Sequence, residues 1–132
     1  YCILVFNRKI NCKYDNSGKI LISDGKNLII KNKNSGIPNF YKLENTSFYS
    51  ILDKQYLINQ IIKNNVIKEY GELFINLNYK NTEIKIFFDK EKLHIKGWKT
   101  TDIYNNSVLT KIIIRDVNKT INNNIFDLKK YN

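Results

Sequence analysis

Few side chains in this sequence have the types and spacing that chemistry requires. The cysteines are Cys2 and Cys12, and the only histidine is His94. A structural zinc site takes about four Cys or His ligands, so these residues do not form a metal pattern. Nucleophilic catalysis needs a base beside a Ser, Thr or Cys. His94 stands in a lysine-flanked strand pattern and reads as a surface position. Asp89 and Glu91 fall in one predicted hairpin turn, Asp24 in another and Asp53 in a helical region, where turn chemistry accounts for carboxylates without acid or base work. The five glycines are scattered and form no phosphate loop. The residues therefore point away from an enzyme, with no cofactor and no metal expected.

The formal charge of +10 makes nucleic acid a natural partner to consider. The distribution argues against it. Lysines are spread singly over nearly every segment, no block of five or more basic residues occurs, and only Arg8 and Arg115 have the forked head suited to bidentate contacts. A solvated lysine-rich surface is the expected reading, with no specific nucleic-acid partner. Ile, Lys and Asn supply 63 of the 132 positions, and Ala and Met are absent. Such a bias reflects A/T-rich codons, which weakens any argument from charge. The length suits one domain with a real core. No stretch approaches the roughly 18 apolar residues of a membrane-spanning helix, so the chain is expected to be soluble, and a monomer is expected.

The elements that must position any site are mostly strands. Period-two alternation bounded by Asn, Asp and Gly predicts strands at Cys2 to Phe6, Ile10 to Tyr14, Lys19 to Ser23, Leu28 to Lys31 and Asn39 to Leu43. A turn at Asn7-Arg8-Lys9 joins the first pair, and the tight-hairpin dipeptide Asp24-Gly25 joins the third and fourth. Asn45-Thr46-Ser47 then offers N-cap residues, and apolar positions at Phe48, Ile51, Leu52, Leu57, Ile58, Ile61 and Ile62 have helical spacing. This is one helix, or two short ones broken near Asp53. Strands resume at Val66 to Glu69, Glu72 to Tyr79, Glu83 to Asp89, Lys92 to Ile103 and Thr110 to Val117. Leu73, Ile75, Leu77, Ile84, Ile86 and Phe88 are the inward candidates. Leu93 and Ile95 share a parity that Trp98 breaks across Lys96-Gly97, which predicts a bulge. The run Ile112-Ile113-Ile114 reads as a central strand, and Ile121, Ile125, Phe126 and Leu128 as anchors of the tail.

Nine or ten short antiparallel strands with one helical insertion after the fifth predict a mainly β fold, a curved antiparallel sheet forming an incomplete barrel. A short α-helical lid would cover its concave face. An unfilled apolar concavity would be a small-ligand or lipid site. A fully packed core is the alternative, and composition does not separate the two.

The order of motifs resembles the LolA family of periplasmic lipoprotein carriers. Ile20-Leu21-Ile22-Ser23-Asp24-Gly25-Lys26 looks like that family's hairpin motif, and Phe6-Asn7-Arg8 before Cys12-Lys13-Tyr14 is similar to its basic turn and following strand. Asn45-Thr46-Ser47-Phe48 with Ile51-Leu52 resembles its lid helix. Trp98-Lys99-Thr100-Thr101-Asp102 and Thr110 to Asp116 resemble its penultimate hairpin, and Ile125-Phe126-Asp127-Leu128 its closing strand. The chain departs from the family in lacking proline after the turn arginine, in Ser47 where proline is usual, and in Cys12 at an aromatic position. Tyr1 runs straight into a strand, where the family carries a leading helix and a first strand.

The resemblance implies one LolA-like domain over residues 1–132 that shelters acyl chains of lipoproteins in the periplasm. Its partners would be acylated lipoproteins, an inner-membrane lipoprotein-releasing ABC transporter and an outer-membrane lipoprotein receptor. The lid and lipid-binding positions would be Arg8, Phe48, Ile51, Leu52, Ile75, Leu77, Ile84, Ile86, Phe88 and Trp98. The related receptor, another periplasmic lipid-binding protein and, from a different class, a basic nucleic-acid-binding β domain are the alternatives. A receptor of this type begins with a lipid-modified cysteine, whereas Cys2 lies inside a predicted strand. With the first turn at Asn7 to Lys9, Cys2 and Cys12 are diagonal neighbours, which is long for a disulfide. Free, buried thiols are expected, although an oxidising periplasm would permit the bond.

Overall fold

In a computed structural model the alternating segments form ten strands and the helical block two helices among the described residues, and the chain is mainly β. The structure describes residues 1–5, 7–15, 17–32, 36–91, 94–101, 106–113 and 119–131. They form two compact units, Tyr1–Lys54 with Thr120–Asn132, and Gln55–Lys119.

The first unit holds β1 (Cys2–Val5), β2 (Lys9–Tyr14), β3 (Lys19–Asp24), β4 (Asn27–Lys31) and β5 (Asn39–Lys42), an antiparallel sheet in chain order. The pairings Leu4↔Ile10, Ile10↔Ser23 and Ser23↔Leu28 set one face, which also carries Cys12 and Leu21. Ile22 and Ile29 pair on the other, and all of these β2, β3 and β4 residues are buried. The tail lies on that second face. Asn11 Nδ2 donates to the Ile125 carbonyl at 2.7 Å, and Lys9 Nζ stands 5.8 Å from the centre of the buried Phe126 ring.

Two expectations in this unit are corrected. Val5 pairs with Lys9, so the first turn comes one residue earlier than Asn7 to Lys9 and the register slides. Cys2 then faces Cys12 directly, with Cα atoms 4.1 Å apart, and the two form a disulfide in place of free thiols. Tyr1 and Lys13 exchange both backbone hydrogen bonds, which leaves the adjacent cysteines in a non-hydrogen-bonded pair, where side chains approach most closely. Ser23 pairs with Leu28, as the expected strand ends require, and Asp24-Gly25 opens the connection from β3 to β4. Asp24 Oδ1 accepts from the amides of Lys26 and Asn27, each at 2.8 Å, and closes that loop. In the tail, Ile125 to Leu128 form no closing strand. Asn122 accepts a bond from the Asn124 amide through its side chain, and 3-10 turns follow at Asn123–Phe126 and Leu128–Tyr131.

A 3-10 turn at Leu43–Asn45 leads into α1 (Phe48–Leu52), and Asp53 separates it from α2 (Lys54–Lys63). The insertion is thus two short helices. Ser47 takes the N-cap position of α1 without making a side-chain cap bond.

The second unit holds α2 beyond its first residue and β6 (Ile67–Glu69), β7 (Glu72–Tyr79), β8 (Thr82–Phe88), β9 (Ile95–Thr101) and β10 (Ser107–Lys111), again antiparallel and in chain order. Neither sheet closes into a barrel, since each has a strand paired on one side only at both ends. The turns Tyr70-Gly71 and Lys80-Asn81 have positive φ at both residues, the geometry of the tight turns that match strand twist. The predicted bulge is present. Phe87 pairs with Gly97 but Phe88 with Ile95, so Lys96 is the extra residue. A Cβ on Gly97 would run into the Thr110 carbonyl oxygen, which explains glycine there.

The last described strand ends at Lys111 and lies at the edge of its sheet, and Ile113 is 87% exposed. The reading of Ile112-Ile113-Ile114 as a central strand is therefore corrected. The tryptophan segment does pair with the following strand, Trp98 facing Thr110, but that strand runs Ser107–Lys111 and so begins before the expected Thr110, whereas Phe6, Leu93, Asp102, Ile114, Arg115 and Asp116 lie outside the described residues. No described helix is long and apolar enough to cross a membrane.

Candidate functional site

The turn between β1 and β2 is the centre of a connected polar site in the first unit. Arg8 has φ of 77°, a left-handed conformation that a β-carbon disfavours by about 1–2 kcal/mol. Contacts on every side hold it there. Its backbone amide donates to the Leu52 carbonyl at 3.0 Å, and its Nε donates to Asp53 Oδ2 at 2.5 Å. Its guanidinium carbon stands 5.3 Å from the centre of the Tyr49 ring, within cation–π range. Its carbonyl accepts from Ser23 Oγ at 2.8 Å, and that oxygen accepts from the Gly25 amide at 3.0 Å. One turn residue thus joins α1, the junction after it and the loop between β3 and β4.

Asp53 is where it is because α1 stops there. It takes extended backbone, its amide donates to the Tyr49 carbonyl at 2.9 Å, and its side chain keeps only 6% exposure. A buried carboxylate needs a charged partner. The Asp53 hydrogen bond raises the Arg8 pKa above its ordinary value, against a smaller opposing effect of burial. Arg8 also lines an open cleft of about 490 Å³, together with Tyr49, Lys26, Lys42, Leu43 and Glu44.

The expected lid positions form one apolar segment. Ile51 and Leu52 are fully buried and Phe48 is half-buried. In the second unit the registers Ile75↔Ile86↔Trp98 and Leu77↔Ile84 place those five residues on one face, and Leu73↔Phe88 extends it. Ile75, Leu77, Ile84, Ile86, Phe88 and Trp98 are all buried, while Leu73 is half-buried. The structure therefore gathers the predicted residues into two sets, one in each unit.

Asp53, Tyr49, Lys26 and Lys42 are absent from the predicted site. Asp53 had a signal, a lone carboxylate directly after the apolar pair Ile51-Leu52, where burial would demand a cation. The chain matches no protein-family model and no curated protein.

Proposed function

We propose that this chain is a periplasmic carrier of the LolA kind, which shelters the acyl chains of lipoproteins between an inner-membrane transporter and an outer-membrane receptor. In this reading the two five-stranded sheets belong to one curved, incomplete barrel, and α1 is its lid. The observation that carries it is the attachment of α1 to the β1–β2 turn by Arg8, through the Leu52 carbonyl and Asp53. Cargo release requires a covering element that can detach, and beside its buried Ile51 and Leu52 the helix α1 is held to the β1–β2 turn by polar contacts at one residue, Arg8.

The carried surface is the apolar face of Ile75, Leu77, Ile84, Ile86, Phe88 and Trp98. Each acyl methylene sheltered there contributes roughly 0.8 kcal/mol, so no covalent chemistry is needed. The disulfide Cys2–Cys12 supports an oxidising compartment.

A fluorescent acyl probe tests the reading, followed by its own emission and by that of Trp98. A carrier binds the probe saturably and releases it to competing acylated peptide. Ile51→Asp places a carboxylate at a fully buried lid position and should shift probe affinity while the far-UV β-sheet spectrum is retained. Absence of saturable binding by the wild-type chain would reject the carrier. Sequence-selective DNA binding that persists at near-physiological salt would favour the basic nucleic-acid-binding alternative.

A further inference from the structure

The cleft beside Arg8 has a chemistry of its own, independent of what the apolar faces carry. Three cations line it, Arg8, Lys26 and Lys42, with Glu44 the one carboxylate on the lining. Arg8 gives only its Nε to Asp53, its side chain stays 42% exposed, and its Nη groups donate to no described residue. Lys26 and Lys42 pair with no carboxylate among the described residues. The geometry points to a binding site for a phosphoryl oxyanion, held by the Nη edge of Arg8 and the ammonium groups of Lys26 and Lys42.

The local folding explains why these three come together. Asn27 pairs with Lys42, and the Leu43 amide donates to the Lys26 carbonyl at 2.9 Å. The β3–β4 loop and the end of β5 are thereby locked side by side. The bond from Ser23 to the Arg8 carbonyl brings the β1–β2 turn against the same loop. Backbone amides do not contribute, because those of Gly25, Lys26 and Asn27 are taken by Ser23 Oγ and Asp24 Oδ1. Recognition must come from the side chains. A phosphoryl group presents several charged oxygens in different directions and can accept from a guanidinium edge and two ammonium groups at once. A divalent cation is disfavoured by the same three charges. The Tyr49 ring already faces Arg8, so the site reads the anion and not a nucleobase. The anion could be free in solution or a lipid headgroup.

Amide shifts of the labelled chain during titration with inorganic phosphate, at constant ionic strength held with chloride, test the site. Saturable shifts at Gly25, Lys26 and Leu43 are expected. Lys26→Gln with Lys42→Gln should weaken binding about tenfold or more, as loss of charge-assisted bonds implies. Glu44→Gln should tighten it, and Lys80→Gln with Lys90→Gln, in the other unit, should leave it unchanged. Vesicles of phosphatidylglycerol identify the source. Binding to them that the Lys26/Lys42 variant loses points to a headgroup, and binding of phosphate alone to a soluble anion. The site is overturned if phosphate produces no more shift than chloride, or if the two lysine pairs contribute equally.

Discussion

Arg8 Nε and Asp53 Oδ2 lie 2.5 Å apart although 45 positions separate the two residues in the chain. The pair is asymmetric, since the Arg8 side chain is 42% exposed and that of Asp53 only 6%. Removing the arginine takes a cation from beside a buried carboxylate, whereas removing the carboxylate leaves an arginine that water can serve. Arg8→Ala should therefore destabilise by about 1–3 kcal/mol, toward the lower end because solvent screens the exposed partner. Asp53→Asn should cost less. Urea midpoints of both single variants and the double variant measure the coupling, and strictly additive midpoints would show that the contact contributes nothing.

The raised pKa of Arg8 fixes a pH dependence. A basic group whose folded pKa lies above its unfolded value stabilises fully below the unfolded value and loses that contribution only as the pH passes the folded one. Arginine thus contributes evenly across the whole range in which lysine, near 10.4, would titrate. Arg8→Lys should follow wild type near pH 7 and fall further behind it as the pH approaches about 11. The difference between the two urea midpoints against pH isolates this residue, and a constant difference would contradict it.

The disulfide joins residues ten apart, and a loop of that length stabilises by about 2–3 kcal/mol in the chain-entropy account. Cys2→Ser with Cys12→Ser should lower the urea midpoint accordingly and speed amide exchange in β1, which pairs on one side only. Reduction of wild type should give the same midpoint as the double variant.

Gly97→Ala forces a methyl group against the Thr110 carbonyl. Overpacking of this kind costs typically about 1–3 kcal/mol. Exchange of the β10 amides should accelerate more than that of β7, because β10 is held by β9 alone. Uniform acceleration across the sheet would indicate a general loss of stability in place of a local one.

Legibility in the sequence followed the strength of the local signal. Glu72 to Tyr79 alternates cleanly, and its observed bounds are those read from the sequence. The Gly97 bulge was visible because Trp98 breaks parity with Ile95. Cys2 and Cys12 were misread because a one-residue difference in turn position moves every partner, and nothing in Phe6-Asn7-Arg8-Lys9 states which residues close the turn. Ile125 to Leu128 looked like a strand by apolar content, yet Asn122 offers a side-chain acceptor that starts a 3-10 turn. In Ile112-Ile113-Ile114 composition outweighed position, since three β-branched residues have strong strand propensity wherever they sit. The Arg8–Asp53 pair was hidden for a different reason, as it depends on two distant turns arriving at the same place.

In both sheets the spatial order of strands is the order of the chain. Each strand meets its partner across a short connection, so the entropy of closing long loops is small. Such topologies gain their contacts locally and fold faster than β proteins built from distant pairings. The tight turns Tyr70-Gly71 and Lys80-Asn81 favour nucleation at the β6–β7–β8 hairpins, and β9 and β10 can then add one after the other as synthesis proceeds. The edge strand β10 is also the last strand of its sheet to leave the ribosome.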